Sequence, residues 1–308
     1  MPRALCVGPW GRAVSVRLYC WRGATRNFGD ELNTLLWPRL LPAFFDDDPA
    51  ALFLGIGSVL DTRHAQDAVK LVAGAGYGGY QPLPELDARW VVHWVRGPRT
   101  ARLLGLPEGL GLGDPAMLLP DSRTGNDQTI GFMPHFESLA FGAWTAATEA
   151  AGILLIDPRD DPATIIAAIG RCRLLLSEAM HGAIVADAMR VPWIALRPLA
   201  SVHRLKWHDW AEALEVDVRF QALAASSLLE RLNVSALGVT ARRRRLWQSA
   251  APALRVVAQR RFAEQAVASL ERATKAEPQL SHALALDRCR CRMLERLEAL
   301  RRDPLRPV

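Results

Sequence analysis

Short apolar runs alternate with helix-compatible segments from about residue 14 onward. In the first half, each run ends at a glycine, serine, aspartate or proline, which is the pattern of a strand followed by a turn. These runs predict strands at Val14–Trp21, Ala51–Ile56, Val69–Ala73, Trp90–Val95 and Ala116–Leu119. The segments between them predict helices at Glu31–Leu41 and Pro98–Leu104, the second with proline at a favourable first position.

The second half repeats this alternation. Strands are predicted at Thr129–Met133, Ile153–Ile156, Leu174–Ser177 and Trp193–Leu196. Helices are predicted at Glu137–Ala151, Pro162–Cys172, Gly182–Arg190 and Val202–Leu214. Runs such as LLIDP, LLLSE and WIALRP are apolar on both faces rather than alternating, which is typical of parallel strands covered by helices. The sequence therefore predicts an α/β fold built from strand–helix units.

A polar, turn-rich segment, Pro120–Gln128, separates the two series and is the predicted linker. We expect two Rossmann-like, doubly wound domains, at residues 1–122 and 128–240, that face one another across a cleft. Strand signals stop after about residue 240. Residues 241–308 predict a tail of two helices, interrupted near Glu277–Pro278.

The composition excludes several classes of protein. Of 308 residues, 50% are hydrophobic and 23% are charged, which is typical of a globular chain. Charged residues interrupt every apolar stretch before the ~20 residues that a spanning helix needs, and the N-terminal segment lacks the pattern of a secretory signal. The five cysteines are scattered and predict reduced thiols, without disulfides or a structural zinc. We therefore expect a cytoplasmic protein.

The basic charge lies in the tail. Residues 241–308 carry a net charge of +9, whereas residues 1–240 carry −3. We favour amphipathic tail helices that pack on the rest of the protein. The alternative is contact with anionic lipids at the inner face of the plasma membrane. Nucleic-acid binding is disfavoured because no recognised nucleic-acid-binding module is present.

Polar residues follow two of the first-half strands. Asn27, Gly29 and Asp30 are expected to form a turn after the first strand, with Asp30 at the head of the next helix, and the alternative for Asp30 is a simple helix cap. Arg96 follows another strand, and Arg99 lies in the first turn of the next helix, where a cation opposes the helix dipole unless an anion is present. The glycine-rich segments GIGS and AGAGYGG are weak nucleotide-binding signals, because neither completes a known fingerprint.

The stretch from Leu174 to Pro198 is the most informative. An apolar strand ends at Ser177 and Glu178, and His181 follows at the start of a helix. A histidine beside a carboxylate at a strand exit is typical of a general acid/base or an anion donor, with a helix-capping role as the alternative. More basic side chains follow the next strand, at Arg197, His203, Arg204 and Lys206.

Motifs of several other chemistries are missing from the sequence, including HExxH, GxSxG and a cysteine with an evident histidine partner. Nothing in the sequence requires a metal, and we expect no cofactor.

In order along the chain, the motifs NFGDELN, FLGIGSVL, VRGPRTARLLGL, GDPAMLL, SEAMHGAIVADAMRVPWIAL and HRLKWHDW resemble those of the polysaccharide pyruvyl transferases. The similarity is greatest to the ketal pyruvyltransferases of exopolysaccharide pathways such as succinoglycan and xanthan, and it covers about residues 14–215. It implies a fold similar to glycosyltransferases of the B type (GT-B). It also implies transfer of pyruvate from phosphoenolpyruvate to a sugar diol, with formation of a ketal and release of phosphate.

The resemblance also implies roles for particular residues. Arg96, His181 and Lys206 match family positions that hold the phosphate and carboxylate of phosphoenolpyruvate. One departure is Ala179, where many relatives carry an arginine, and Arg197 or Arg204 is the expected replacement.

The charges suit this donor independently of the family, because guanidinium groups bind carboxylate and phosphate bidentately. We expect His181 to transfer the proton, and Glu178 or Asp30 to orient it or to activate a sugar hydroxyl. The predicted substrate-binding residues are Arg96, Lys206, Arg197, Ser177, Asn27, Gly29, His203 and Arg204.

The expected acceptor is a lipid-linked oligosaccharide or a polysaccharide. The alternative function is a GT-B glycosyltransferase with a nucleotide-sugar donor, since its architecture would be the same. A nucleic-acid partner is not expected.

Overall fold

The computed structural model of the chain describes residues 16–121, 123, 128–199, 201–235 and 252–306. The chain forms two compact units. Unit 1 comprises the described residues within Met1–Pro120, Leu205–Val218 and Ser281–Val308. Unit 2 comprises those within Asp121–Arg204 and Arg219–Leu280.

The strands are β1 (Arg17–Leu18), β2 (Ala51–Leu54), β3 (Val69–Ala73), β4 (Trp90–Trp94), β5 (Ile130–Met133), β6 (Leu154–Leu155), β7 (Leu174–Ser177), β8 (Trp193–Leu196) and β9 (Phe220–Gln221). The α-helices are α1 (Phe28–Leu40), α2 (Pro98–Leu103), α3 (Phe136–Phe141), α4 (Trp144–Ala151), α5 (Pro162–Arg171), α6 (Met180–Ala188), α7 (Leu205–Ala213), α8 (Leu228–Ser235), α9 (Pro252–Ala273) and α10 (Ala283–Arg302). Short 3₁₀ helices occupy Glu108–Leu110, Pro115–Leu118 and Ser201–His203.

Unit 1 contains a parallel sheet with strand order β1-β2-β3-β4. Strands β2, β3 and β4 are buried over nearly their whole length, and Leu54, Val72 and Val92 belong to one apolar cluster. Burial on both faces explains why these segments are apolar at consecutive positions. The described strands of unit 1 run in sequential order, so the reversal expected of a doubly wound sheet is not among them.

Unit 2 contains a parallel sheet with strand order β6-β5-β7-β8-β9. The order reverses between β5 and β7, because the chain adds β6 on one side of β5 and β7 on the other. Ligands of open α/β sheets bind at such reversals, outside the carboxyl ends of the strands. The apolar core of this unit includes Phe132, Leu176 and Leu196 from the sheet and Trp144 from α4. The prediction of an α/β fold with parallel sheets is confirmed.

Several predicted elements differ from the structure. The strand predicted at Ala116–Leu119 is wrong, because a 3₁₀ helix forms at Pro115–Leu118. Proline is its first residue, and the Asp114 carboxylate caps it by accepting the backbone N–H of Ala116. The helix predicted at Glu137–Ala151 is divided at Gly142 into α3 and α4. The short elements β9 and α8 were not predicted.

The two compact units group the residues differently from the predicted domains at 1–122, 128–240 and 241–308, which stay a prediction. Helix α7 belongs to unit 1, and the predicted tail is divided between the units. Helix α10 contacts β4 and the 3₁₀ helix Pro115–Leu118 in unit 1, whereas α9 packs on α4 in unit 2. Long-range packing of this kind has no local sequence signal. The facing, GT-B-like arrangement of the two units stays a prediction.

The described tail helices carry apolar stripes that are buried. Helix α9 buries Ala266 and Leu270, and α10 buries Met293 and Leu297. Tail arginines also donate to backbone carbonyls, as Arg290 does to that of Met117 at 2.6 Å. These contacts support the packing interpretation of the tail. The four consecutive arginines at 242–245 lie outside the described residues.

Two further sequence expectations concern cysteines and the membrane. The four cysteines in the described part of the chain, at positions 20, 172, 289 and 291, are free thiols. Among the described residues, none of the helices combines the length and the hydropathy that crossing a membrane requires.

Candidate functional site

The predicted site residues divide between the two units. Unit 1 holds Asn27, Gly29, Asp30, Arg96 and Lys206. Unit 2 holds the other six, namely Ser177, Glu178, His181, Arg197, His203 and Arg204. That the two groups serve one site stays a prediction.

In unit 1, Asp30 lies in the first turn of α1 and is buried. Asn27 Nδ2 donates to Asp30 Oδ2 at 2.5 Å. The helix cap is Asn27, which makes no side-chain capping bond, so the simple capping role considered for Asp30 is wrong. Gly57, in the GIGS segment, has a φ of +132°, and a Cβ there would lie 3.3 Å from Asp30 Oδ1. The glycine therefore permits close approach of this loop to the carboxylate.

Asn33 holds the same loop through its amide. Its Nδ2 donates to the carbonyl of Ile56 at 2.8 Å, and its Oδ1 accepts the backbone N–H of Ile56 at 2.8 Å. Trp37 Nε1 also donates to Asn33 Oδ1, at 3.0 Å. Asn33 is completely buried, so these bonds satisfy an amide that would otherwise be costly to bury. The NFGDELN motif is thus joined to the GIGS motif through its last residue.

Arg96 is completely buried at the exit of β4. Its Nε donates to Asp209 Oδ2 at 3.0 Å, its Nη1 to Ser58 Oγ at 2.8 Å, and its Nη2 to the carbonyl of Tyr77 at 2.8 Å. The N–H and hydroxyl of Thr100 donate to the same aspartate, at 2.8 Å and 2.6 Å. The Arg96 side chain therefore ties together both glycine-rich loops and α7. The role of Arg96 as a ligand of the donor stays a prediction.

Two glycines permit this packing. A Cβ at Gly76 would lie 2.3 Å from Arg96 Cζ, and a Cβ at Gly97 would lie 1.9 Å from the carbonyl oxygen of Asp209. No larger residue fits either position without moving the arginine or α7. The glycines of AGAGYGG and VRGPRT therefore have a packing explanation in addition to any contact with a ligand.

Lys206 is half-buried in the first turn of α7, three residues before Asp209. Helix α7 also contacts α2 through Glu212, which accepts from Arg99 Nε and from Arg102 Nη2, both at 2.7 Å. Glu212 supplies an anion for Arg99, whose position at the start of α2 is otherwise unfavourable. This neighbour accounts for Arg99 without a bound substrate.

In unit 2, β7 delivers Ser177 and Glu178 to the reversal point of the sheet, and His181 lies in the first turn of α6. The buried Ser177 hydroxyl donates to the carbonyl of Ala179 at 2.7 Å. A Cβ at Gly182 would lie 2.5 Å from Ser177 Oγ and 2.7 Å from the Met133 sulfur. Glycine therefore lets α6 start directly above the ends of β5 and β7, and half-buried His181 shares this position.

The Glu178 carboxylate is buried and connects two loops. Its Oε2 accepts the backbone N–H of His135 at 2.8 Å, and its Oε1 accepts from Ser138 Oγ at 2.9 Å and from the backbone N–H of Leu199 at 3.0 Å. Burial raises the pKa of Glu178, and these donors oppose that shift. The contacts make Glu178 a brace between the loops that follow β5 and β8.

The braced loops bring together a cluster of His135, Glu137 and His203. The two imidazole rings stack with centroids 4.1 Å apart and planes 26° apart. Glu137 Oε2 lies 2.8 Å from His203 Nε2 and 3.5 Å from His135 Nδ1. His203 was predicted from the sequence, but its two partners were missed. The signal available for them was their position directly after β5, at the reversal point.

The remaining predicted arginines follow β8. Arg197 is exposed, and its backbone N–H donates to the carbonyl of Gln221. Arg204 is half-buried and donates to the carbonyl of Pro198 at 3.3 Å and 3.4 Å. That Arg197 or Arg204 replaces the family arginine at the position of Ala179 stays a prediction.

Two comparisons with known proteins found matches to this chain. The family model described as polysaccharide pyruvyl transferase matches residues 85–198, which include Arg96 and the whole segment from β5 to β8. The chain is also 36% identical, over 312 residues, to the succinoglycan biosynthesis protein ExoV of Rhizobium meliloti (strain 1021). That match covers 92% of this chain and 98% of the relative. The chain belongs to the polysaccharide pyruvyl transferase family.

The family expected from the motifs is therefore confirmed, and the protein is a polysaccharide pyruvyltransferase. The motifs NFGDELN and HRLKWHDW lie outside the residues that the family model matches. No solved structure matches the chain.

Proposed function

We propose that this pyruvyltransferase uses phosphoenolpyruvate as donor and converts two hydroxyls of one sugar into a carboxyethylidene ketal. The acceptor is a lipid-linked repeat unit of an exopolysaccharide. Membership of the family supports pyruvyl transfer, and the relative from succinoglycan biosynthesis supports an exopolysaccharide pathway. The structural observation that carries the proposal is the position of His181, at the start of α6 and beside the point where the sheet order reverses.

The reaction needs a proton at one carbon and the loss of protons from two oxygens. A proton added to the methylene carbon of the donor makes it a methyl group and leaves an oxocarbenium-like centre at C2. One sugar hydroxyl attacks C2 and loses its proton, phosphate leaves with its bridging oxygen, and the second hydroxyl then attacks C2 and loses its proton. The products are the cyclic ketal and inorganic phosphate, so the donor itself supplies the transferred group and no carrier cofactor takes part.

His181 is the proposed proton donor and acceptor in these steps, because a neutral imidazole can accept a proton and an imidazolium can donate one. Glu178 serves as a positioning residue, since its two oxygens are already occupied by three donors that fix the loops around the reversal point. Ser177, Arg197, His203 and Arg204 are proposed to contact the donor in unit 2. Asp30, with Asn27 and Gly29, remains the alternative group for activation of a sugar hydroxyl.

Two cationic residues of unit 1 are proposed as ligands of the donor on family grounds. Lys206 is half-buried and lies at the start of α7. Arg96 is buried with Asp209, so any contact with an anion would add to bonds that it already makes. Affinity for phosphoenolpyruvate tests Lys206 directly: Lys206→Met is expected to weaken binding, whereas the exposed Lys275→Met serves as the matched control.

The proposed place of action is the cytoplasmic face of the membrane, where lipid-linked acceptors are available. Tail arginines would supply a peripheral contact with anionic lipids. Sedimentation with vesicles of phosphatidylglycerol and phosphatidylcholine, compared with phosphatidylcholine alone, tests this contact. Equal recovery in both pellets would exclude it.

The decisive experiment is incubation with phosphoenolpyruvate and a lipid-linked repeat unit, followed by mass measurement of the acceptor and assay of phosphate. The mass of the acceptor is expected to increase by that of one pyruvic acid minus one water. One phosphate should be released for each molecule of product. A nucleotide-sugar panel in the same assay tests the glycosyltransferase alternative. Transfer of a hexose, with no use of phosphoenolpyruvate, would overturn the proposed function.

A further inference from the structure

We propose that His135, Glu137 and His203 bind a divalent transition-metal ion of the Zn²⁺ class. Their ligand atoms all lie within 4.8 Å of one another, and both histidines are buried. The cluster lies at the reversal point of the unit 2 sheet, where loops after β5 and β8 meet. This inference does not depend on phosphoenolpyruvate as the donor.

The spacing of the ligand atoms matches the size of such a site. Tetrahedral Zn²⁺ has bonds of about 2.0–2.2 Å to imidazole nitrogen and carboxylate oxygen, which separates neighbouring ligand atoms by roughly 3.4 Å. Glu137 Oε2 lies 3.5 Å from His135 Nδ1 and 2.8 Å from His203 Nε2, so the two distances bracket that separation. The three ligand atoms lie within 4.8 Å of one another, so side-chain rotation would have to bring the widest pair closer around an ion.

The cluster is more than an ordinary pair between a histidine and a carboxylate. One imidazole is enough to satisfy the Glu137 carboxylate, yet a second imidazole is stacked on the first at 4.1 Å and faces the same oxygen atom. His135 Nδ1 also accepts the backbone N–H of Glu137, but at 3.5 Å, the long end of the hydrogen-bond range. Coordination of a metal by His135 Nδ1 would therefore break only this weak hydrogen bond.

The ligand positions are held before a metal arrives. The buried Glu178 carboxylate accepts the backbone N–H of His135 on one loop and that of Leu199 on the other. His203 then follows in the 3₁₀ helix Ser201–His203. Such outer contacts fix the orientation of metal ligands and commonly change metal affinity by about 10–100-fold when removed. Glu178 would supply this support for two of the three ligands.

The chemistry of the ligands indicates the ion and what it would bind. Two imidazoles and one carboxylate suit Zn²⁺ and neighbouring first-row ions, whereas all-oxygen sites suit Mg²⁺ and Ca²⁺. Three protein ligands leave a coordination position for water or for a small anionic ligand, such as a carboxylate or phosphate. The side chain of Glu137 is 44% exposed, which gives an ion access from solvent.

The test is binding of Zn²⁺ to the full-length, tag-free protein, first treated with a chelator and measured by calorimetry with ZnCl₂. Co²⁺ serves as a spectroscopic probe, because its visible absorption reports tetrahedral coordination. We expect one bound ion per chain. Glu137→Gln and His203→Gln are each expected to weaken Zn²⁺ binding by at least the roughly 10–100-fold that loss of an outer contact costs.

Three variants control this experiment. Glu149→Gln removes an exposed carboxylate of α4, and His282→Asn replaces an exposed histidine while keeping a residue suited to its capping position. Cys291→Ser removes an exposed thiol that could bind Zn²⁺ elsewhere. All three should leave the ion bound at the cluster unchanged.

Glu137→Gln is the safer of the two test variants, because its side chain is exposed and its size is conserved. Circular dichroism and melting temperature identify any variant that fails to fold. Absence of a bound ion, or binding that Glu137→Gln and His203→Gln leave unchanged, would overturn the proposed site. Because the readout is metal binding, either result is independent of whether phosphoenolpyruvate is the donor.

Discussion

Arg96 and Asp209 form a buried ion pair, 3.0 Å between Nε and Oδ2, although 113 positions separate them along the chain. The pair attaches α7 to the exit of β4, and Thr100 adds two hydrogen bonds to the same carboxylate. A motif arginine in a transferase invites a catalytic interpretation. Its surroundings give it a structural function that would persist in the absence of substrate.

Arg96→Met is therefore expected to lower the free energy of unfolding by about 3–5 kcal/mol, because it leaves the Asp209 carboxylate buried without its partner. Urea denaturation of the full-length protein measures the change. Arg99→Met is the matched control: its pair with Glu212 is partly exposed and should contribute at most about 1 kcal/mol. Equal losses for the two variants would contradict the structural function of Arg96.

His181→Gln is expected to reduce kcat for ketal formation by about 10²–10⁴-fold, the contribution of a positioned acid/base. Affinity for phosphoenolpyruvate should change much less, because the anion is bound mainly by cationic groups. His282→Asn, far along the sequence at the start of α10, should retain normal turnover. Near-normal kcat in a folded His181→Gln protein would remove this residue from the mechanism.

Glu178→Gln tests the brace between the two loops. An amide nitrogen would replace one acceptor oxygen and oppose a donor N–H or hydroxyl, so we expect a loss of about 1–3 kcal/mol in the free energy of unfolding. Hydrogen exchange should become faster at the backbone amides of His135 and Leu199, which donate to this carboxylate. Unchanged exchange at both amides would show that the loops are held by other contacts.

A pH dependence of stability is expected from Glu230. Burial raises its pKa from the ordinary 4.5 to about 7, against the bonds from Ser226 and Trp144. Between these two values the folded state retains a proton that the unfolded state loses. The contribution of Glu230 to stability is therefore complete below about pH 4.5 and decreases as the pH rises toward 7, by ~3 kcal/mol in all.

Urea denaturation at pH 5 and pH 8 measures this dependence. Glu230→Gln cannot titrate, so its stability should change less between the two pH values than that of the unmodified protein. The variant should nevertheless be less stable at pH 5, because its amide nitrogen faces a donor. An identical pH dependence in both proteins would contradict the shifted pKa.

The packing of α10 predicts different effects for two neighbouring leucines. Leu297 is 1% exposed and Leu294 is 46% exposed. Leu297→Ala should cost about 2–5 kcal/mol of unfolding free energy, as truncation of a buried leucine usually does. Leu294→Ala should stay within about 0.5 kcal/mol of the unmodified protein. Comparable losses would show that α10 does not pack as described.

The sequence predicted those elements whose signals are local. Strands β3, β7 and β8 have the predicted ends, because each is a short run of mainly apolar residues with a glycine, serine or proline at or near its end. The segment at Ala116–Leu119 is equally apolar, but the preceding Asp-Pro pair starts a 3₁₀ turn. Apolar composition alone could not distinguish these outcomes.

For the candidate site, strand exits were a useful guide. They identified Glu178 and His181 at the reversal point, and also Asp30 in unit 1. They did not identify the carboxylates that pair with Arg96 and His203. Asp209 is 113 positions from Arg96, and Glu137 is 66 positions from His203, so neither pair leaves a pattern in a short window of sequence.

The division of the chain into units has a consequence for biosynthesis. Because α7 and α10 belong to unit 1, the chain passes from one unit to the other four times between Pro120 and Ser281. A ribosome that has synthesised the first 120 residues has not yet made α7, which contacts α2, or α10, which contacts β4. Unit 1 can be completed only when the last helix emerges, whereas unit 2 has all its residues once Leu280 has left the exit tunnel. Unit 1, which contains the first 120 residues, is thus the unit whose residues are completed last.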